Sequence, residues 1–264
     1  MWPVIVGAVV FLLLVAISVF LYSRFGDLIS SPAIQDEIQA RDNIVLASNL
    51  HVPWSIAFMP NGTLLATQRN GLLTMISPSG KVDNIDIQGT TESGEGGLLG
   101  LAVHPQFTEN NYIYLYYTAN SKGNIINRVV RCILKQDSVA IDRLIINNIP
   151  GGKNHNGGRL AFGPDGYLYV TTGDAEQENL AQDVNSLAGK ILRVNDDGSI
   201  PVSNPFQNAV YSYGHRNPQG VVWDDLGGMW STEHGRSGLL SGYDEINYIQ
   251  IGKNYGWPVI QGDA

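Results

Sequence analysis

The sequence predicts an all-β protein built as a β-propeller, on three observations. One phrase recurs along the chain: an apolar strand, an Asx/Pro/Gly turn, then a second apolar strand. The intervals between recurrences hold further short apolar runs, enough for about four strands per unit. No amphipathic stretch of 10–15 residues separates the strands, as a parallel α/β fold would need. Composition agrees: 44% of the 264 residues are hydrophobic, 15% are charged, glycine numbers 30, and tyrosine outnumbers phenylalanine 12 to 7. Strands and turns favour that mixture, whereas helices favour Ala, Glu, Lys and Leu.

The recurring phrase reads WSIAFMPNGTLLAT at 54–67, GLLGLAVHPQFTENNYIYLYYT at 97–118, GRLAFGPDGYLYVTTGD at 158–174 and QGVVWDDLGGMWSTEHG at 219–235. With Pro60, Pro105, Pro164 and Asp225 as turn markers, the spacings are 45, 59 and 61 residues. The runs GLLTMISP, RVVRCILK and KILRVN supply further strands. A β-sandwich would not produce self-similarity at this period, whereas propeller blades do. The innermost strand of each blade lines a channel, so loops flanking those strands gather at one mouth. A site there draws residues from several repeats.

The N-terminus has a different character. Trp2 to Tyr22 is 21 residues without a charge, long enough to cross a bilayer core of about 30 Å, with an aromatic residue at each end. The start lacks the basic residues of a cleavable signal, and no A-x-A site follows. The expectation is an uncleaved transmembrane helix over 1–23, a polar stalk over 24–44 and the propeller over 45–264. Arg24 alone would pull the C-terminal side inward, a weak cue to orientation. The single cysteine, Cys132, lies in an alternating run and reads as core filler. Asn61-Gly62-Thr63 fits a glycosylation sequon but reads first as a turn. A net charge of −8 argues against a nucleic-acid partner, whose binding requires a cationic surface.

Polar clusters accompany the repeats. SGEGGLLG at 93–100 has the glycines of a dinucleotide fingerprint without the strand and helix that motif requires. It leaves two readings open: glycines that bring Glu95 against a ligand, or a tight crossing between blades. His155 stands among Asn154, Asn156 and Arg159, and Asp174 closes the same hairpin. The two strands return both ends to one side, where a carboxylate on one imidazole nitrogen would leave the other as a general base. GHRNPQG at 214–220 sets Arg216 and Asn217 side by side in a Gly/Pro loop. STEHGRSGLLSGYDEIN at 231–247, with GKNYGWP at 252–258, offers carbonyl and carboxylate oxygens of the kind calcium takes.

Taken in order, GEGGLLG, HNGGRLAFGPDG with YVTTGD, GKILRVNDDGSIP, GHRNPQG, DEIN and NYGWP resemble the soluble quinoprotein glucose dehydrogenase and aldose sugar dehydrogenase family, from about Val45 onward. The resemblance implies a six-bladed propeller, of which about four blades and part of a fifth fall within this chain. It implies a pyrroloquinoline quinone- and calcium-dependent oxidoreductase that converts aldoses to lactones by hydride transfer, and that passes electrons to an external acceptor. His155 matches the family's base, Asp174 the acid that holds it, and Arg216 the cation beside the quinone carbonyl. Glu95, where glutamine is frequent, and Asn217 match cofactor contacts. The carbonyls of Gly235 and of Arg236, which stands where proline is common, match ligands of the cofactor's calcium. Glu245 and Tyr255 match a structural calcium site. Later blades of the family grip the cofactor's carboxylates with cationic residues. Family members work outside the cytoplasm, which implies a single-pass protein with the propeller on the extracytoplasmic side. Two rival readings remain: a non-catalytic propeller that binds a carbohydrate or protein partner, and a calcium-dependent sugar-lactone hydrolase. The second would need side chains ringing one ion, which the HNGGRL and GHRNPQG pair does not favour.

Overall fold

A computed structural model describes residues 44–261, apart from Asp137 and 237–241. The expected N-terminal helix and most of the stalk lie outside the described residues. Among those described, no helix is long and apolar enough to cross a membrane.

Four antiparallel sheets follow one another along the chain. The first holds β1 (Pro53–Phe58), β2 (Leu64–Gln68), β3 (Leu72–Ile76) and β4 (Val82–Asp86). The second holds β5 (Leu98–Val103), β6 (Tyr112–Ser121), β7 (Asn124–Leu134) and β8 (Val139–Pro150). The third holds β9 (Leu160–Phe162), β10 (Leu168–Thr172), β11 (Lys190–Val194) and β12 (Val210–Tyr213). The fourth holds β13 (Pro218–Trp223), β14 (Met229–Glu233) and β15 (Glu245–Ile249). Each sheet pairs its strands in sequence order. The first strands touch in succession, β1 to β5, β5 to β9 and β9 to β13, so they form the inner wall, as propeller blades require. The described helices are one turn of α-helix, α1 (Phe107–Asn110), and a 3-10 turn at Glu178–Ala181.

Strand period explains how the blades stack. Successive side chains of a strand point to opposite faces. On β6, Ile113, Leu115 and Tyr117 enter the core shared with Leu65 and Leu73 of the first sheet. Tyr114 and Tyr116 enter the opposite core, with Leu160, Val170 and Leu192 of the third. The third sheet repeats the device, turning Tyr169 and Ile191 toward Met229 and Ile249 of the fourth. Cys132 is buried in the core between the first two sheets, and burial pushes its thiol up to about 12. Asn61 forms the expected turn, its Oδ1 accepting the Thr63 N–H at 3.0 Å. The glycines of GEGGLLG serve mainly as blade crossings. A Cβ at Gly97 would lie 2.0 Å from the Arg69 carbonyl oxygen, and one at Gly100 would lie 1.9 Å from that of Gly158.

Two expectations are revised. The fourth sheet has three strands rather than four, and the chain beyond it begins no fifth sheet among the described residues. After β15 the Tyr255 hydroxyl donates to the Tyr248 carbonyl and accepts from the Gln250 N–H, at 2.7 and 2.8 Å. That closes a turn and sends Asn254 back to bridge Tyr213 of the third sheet. Residues 252–261 are therefore delivered to the loops at the ends of blades three and four.

Lys190 is fully buried. Its Nζ donates to the carbonyls of Leu180, Ala181 and Ala188 at 2.8, 3.0 and 2.5 Å, tying the 178–188 loop to β11. Three acceptors match the three N–H groups of an ammonium, while burial pushes the group down to about 7. Lys190→Met orphans three carbonyls and is expected to cost about 3–5 kcal/mol in denaturant unfolding. The unfolded chain holds this proton more tightly than the folded one. The wild-type advantage is therefore expected to widen as pH rises from about 7 toward the ordinary lysine value.

Candidate active site

The β9–β10 hairpin returns its two ends to one side of blade three, as its period and turn require. Ahead of β9, His155 takes a left-handed backbone with φ 56°, which costs roughly 1–2 kcal/mol for a residue other than glycine. Neighbours hold it there. The Glu95 carboxylate accepts the His155 N–H at 2.9 Å, and the His155 carbonyl accepts the Ala175 N–H at 3.1 Å. The adjoining Asn156 is buried, exchanging hydrogen bonds with Gly152 and accepting one from Asn127 Nδ2 at 2.9 Å. Asn154 donates its side-chain amide to Glu176 at 2.9 Å, a bond that holds the Glu176 carboxyl below its usual range.

His155 Nδ1 lies 2.8 Å from Asp174 Oδ1. Asp174 is 1% exposed, whereas the histidine side chain keeps 18%. A carboxylate beside Nδ1 places the ring proton there and leaves Nε2 with its lone pair. Asp174 is itself anchored. Its N–H donates to the Arg216 carbonyl at 2.8 Å, Oδ1 also accepts the Glu176 N–H at 2.8 Å, and Oδ2 accepts Trp257 Nε1–H at 2.8 Å.

GHRNPQG forms the opposite wall, between β12 and β13. Glu233, at the end of β14 and buried, organises it. Its Oε2 is 2.8 Å from His215 Nδ1, and its Oε1 accepts the N–H groups of Arg216 and Asn217, the latter at 3.2 Å. His215 is fully buried and stacks on Tyr255 at 4.6 Å between ring centroids. The Arg216 guanidinium donates to the His234 carbonyl at 3.3 Å and lies over the Trp257 ring, 5.3 Å from its centroid. Asn217 Oδ1 accepts the Gly157 N–H at 3.0 Å, so this residue also joins blade four to the histidine lip.

Six of the residues singled out from the sequence line one pocket: Glu95, His155, Arg216, Asn217, Gly235 and Arg236. Asp174 stands behind His155. Glu245 and Tyr255 line a neighbouring cavity with Asp244 and Asn247. The Tyr255 hydroxyl is committed to the β15 turn, so its main-chain carbonyl is the oxygen it has to offer a cation. Among the described residues no group of three or more His, Cys, Asp or Glu side chains converges as a metal cage. Arg159 belongs elsewhere: it spans the channel, donating to Ser55 Oγ at 3.0 Å and to the Gln219 carbonyl at 2.9 Å, with its guanidinium 4.4 Å from the Trp54 ring centroid. Sequence reasoning missed Glu233, His215 and Trp257. All three lie in motifs singled out for other residues, so the signal was present at the level of the motif.

Fold and site together define a propeller whose channel mouth carries a carboxylate-oriented histidine facing a nearly buried arginine. The chain belongs to the glucose/sorbosone dehydrogenase family, whose family model matches residues 50–264. It is 37% identical to the aldose sugar dehydrogenase of Escherichia coli, over 81% of this chain and 61% of that protein. It is 32% identical to quinoprotein glucose dehydrogenase B of Acinetobacter calcoaceticus, over 95% of this chain and 59% of that protein. Among solved structures, the pyrroloquinoline quinone-bound aldose sugar dehydrogenase of Streptomyces coelicolor superposes with a TM-score of 0.78 at 39% identity, covering 84% of this chain and 66% of that one. The chain thus spans about three fifths of the length of the curated relatives it matches.

Proposed function

We propose that this chain carries the base and the site cation of a pyrroloquinoline quinone-dependent aldose dehydrogenase, with His155 as the general base. The observation that carries the proposal is the 2.8 Å contact of His155 Nδ1 with Asp174, beside a pocket that His155 and Arg216 both line. The names of the family and of its relatives support the substrate and cofactor class.

The pocket sets two cations, Arg216 and Arg236, among the carboxylates of Glu95 and Asp244, so it offers a polar cofactor both donors and acceptors. Arg216 supplies a permanent cation at 7% exposure and Asn217 a carboxamide. Arg216, Asn217 and Glu95 would hold the cofactor's polar edge. Oxygen donors suit calcium, and the carbonyls of Gly235 and Arg236 would serve the ion beside the cofactor. Glu245 and the Tyr255 carbonyl would serve a second ion. When bound, the quinone accepts the hydride released from the sugar's anomeric carbon.

The protein's own part is proton handling, placement and charge. Nε2 of His155 takes the proton of the anomeric hydroxyl. The O–H bond breaks as the carbonyl of the lactone forms, and the electron pair of the C1–H bond leaves with the hydride. Asp174 keeps the imidazole proton on Nδ1 and stabilises the imidazolium that results. The fixed guanidinium of Arg216 stabilises negative charge developing on an adjacent oxygen without reorganising at the moment of reaction. The uncharged run Trp2–Tyr22 supports a membrane tether, the placement of the propeller on the extracytoplasmic side rests on the family resemblance alone, and an external acceptor would reoxidise the cofactor. Reconstitution with pyrroloquinoline quinone and calcium, followed by dye-linked oxidation of several aldoses, tests the reading. Turnover that needs the quinone is expected; inactivity on every aldose would reject it.

A further inference from the structure

The segment that folds back after β15 delivers one side chain to both halves of the site. Asp174 Oδ1 is shared by His155 Nδ1 and the Glu176 N–H, while Oδ2 accepts the indole Nε1–H of Trp257 at 2.8 Å. The same indole presents its face to the Arg216 guanidinium, 5.3 Å from the ring centroid. Its own position is fixed through the main chain. The Trp257 N–H donates to the Gly214 carbonyl at 2.9 Å, and the Trp257 carbonyl accepts Gln182 Nε2–H at 2.6 Å.

Building on the dehydrogenase reading, we propose that Trp257 is a positioning residue that sets the base and the cation together. Its N–H locks the plane of the Asp174 carboxylate, and with it the tautomer of His155, while its ring seats Arg216. A carboxylate turns readily about its terminal torsion. The two bonds to Oδ1 resist that rotation at one oxygen, and the Trp257 donor on Oδ2 holds the other, so the carboxylate plane is fixed at both ends. Other charged groups around the pair are engaged differently. Glu95 accepts the His155 N–H, Glu176 is clamped by Asn154, and Arg216 meets Asp174 through its carbonyl. His234, Arg236 and Asp244 line the pocket in front of the histidine.

Trp257→Phe keeps an aromatic ring beneath Arg216 and removes the N–H. Imidazole ¹⁵N NMR of the full chain without cofactor reads the tautomer directly. Wild-type His155 is expected as the Nδ1–H form, and the variant as a mixture with the Nε2–H form. His215, held at 2.8 Å by Glu233, keeps its tautomer and reports that the fold survives. In reconstituted protein kcat is expected to fall by up to about 100-fold with KM little changed. An unchanged His155 tautomer in folded Trp257→Phe overturns the proposal. If that variant does not fold, Asp174→Asn gives the converse measurement: the Trp257 indole N–H resonance is expected to move, and a static resonance overturns the proposal. The tautomer needs no quinone, so absent aldose oxidation counts against the dehydrogenase reading and a static tautomer against the role of Trp257.

Discussion

Replacing His155 with alanine is expected to lower quinone-dependent aldose oxidation by about 10²–10⁴-fold, the usual contribution of a positioned general base. The loss should fall on kcat, because the proposed polar grip on the cofactor comes from residues other than His155. The backbone at 155 keeps its bonds to Glu95 and Ala175, which do not involve the imidazole. Steady-state kinetics together with a quinone titration check both halves. A variant that loses quinone binding and retains its rate when saturated would assign His155 to the cofactor instead.

The largest stability effect expected in the site region is that of Glu233→Ala, about 3–5 kcal/mol, the cost of leaving several buried donors without their acceptor. Glu233 is 5% exposed and engages four donors: His215 Nδ1–H, the main-chain N–H groups of Arg216 and Asn217, and, at 3.5 Å, Asn247 Nδ2–H. Alanine takes the acceptor from all of them, and His215, fully buried and stacked on Tyr255, cannot turn to solvent for another. The same change releases the loop that carries Arg216, so catalysis should fall along with stability. Chemical denaturation measures the first. Activity assayed well below the unfolding transition separates the second.

The propeller was legible because strand period is a local property. Alternation along YIYLYY already separates the two faces of β6, and the structure assigns those faces to two different cores. The pairing of His155 with Asp174 was legible for a related reason: an antiparallel hairpin must bring its ends together. What stayed hidden depends on partners far along the chain. Trp257 lies 83 residues from Asp174, and nothing in NYGWP foretells that its indole reaches a carboxylate on another blade. Lys190 in KILRVN reads as an ordinary polar position of a strand. Its acceptors are main-chain carbonyls of a separate loop, which leave no mark in residue identity. The return of 252–261 to blade three was hidden too, because a Gly/Asn/Tyr turn gives no direction. Glycine patterns misled in one respect: GEGGLLG suited a ligand loop and a blade crossing equally well. Only the close approaches at Gly97 and Gly100 show the crossing, while Glu95 alone turns to the histidine.

The central claim is that His155 takes a proton from the anomeric hydroxyl as hydride leaves the adjoining carbon. Its most direct test is single-turnover reduction of bound pyrroloquinoline quinone by an aldose carrying either hydrogen or deuterium at C1. The account predicts reduction by wild type that deuterium slows several-fold, and reduction by His155→Ala that is slower by orders of magnitude. Equal rates for wild type and His155→Ala, or no reduction by any aldose, would contradict it.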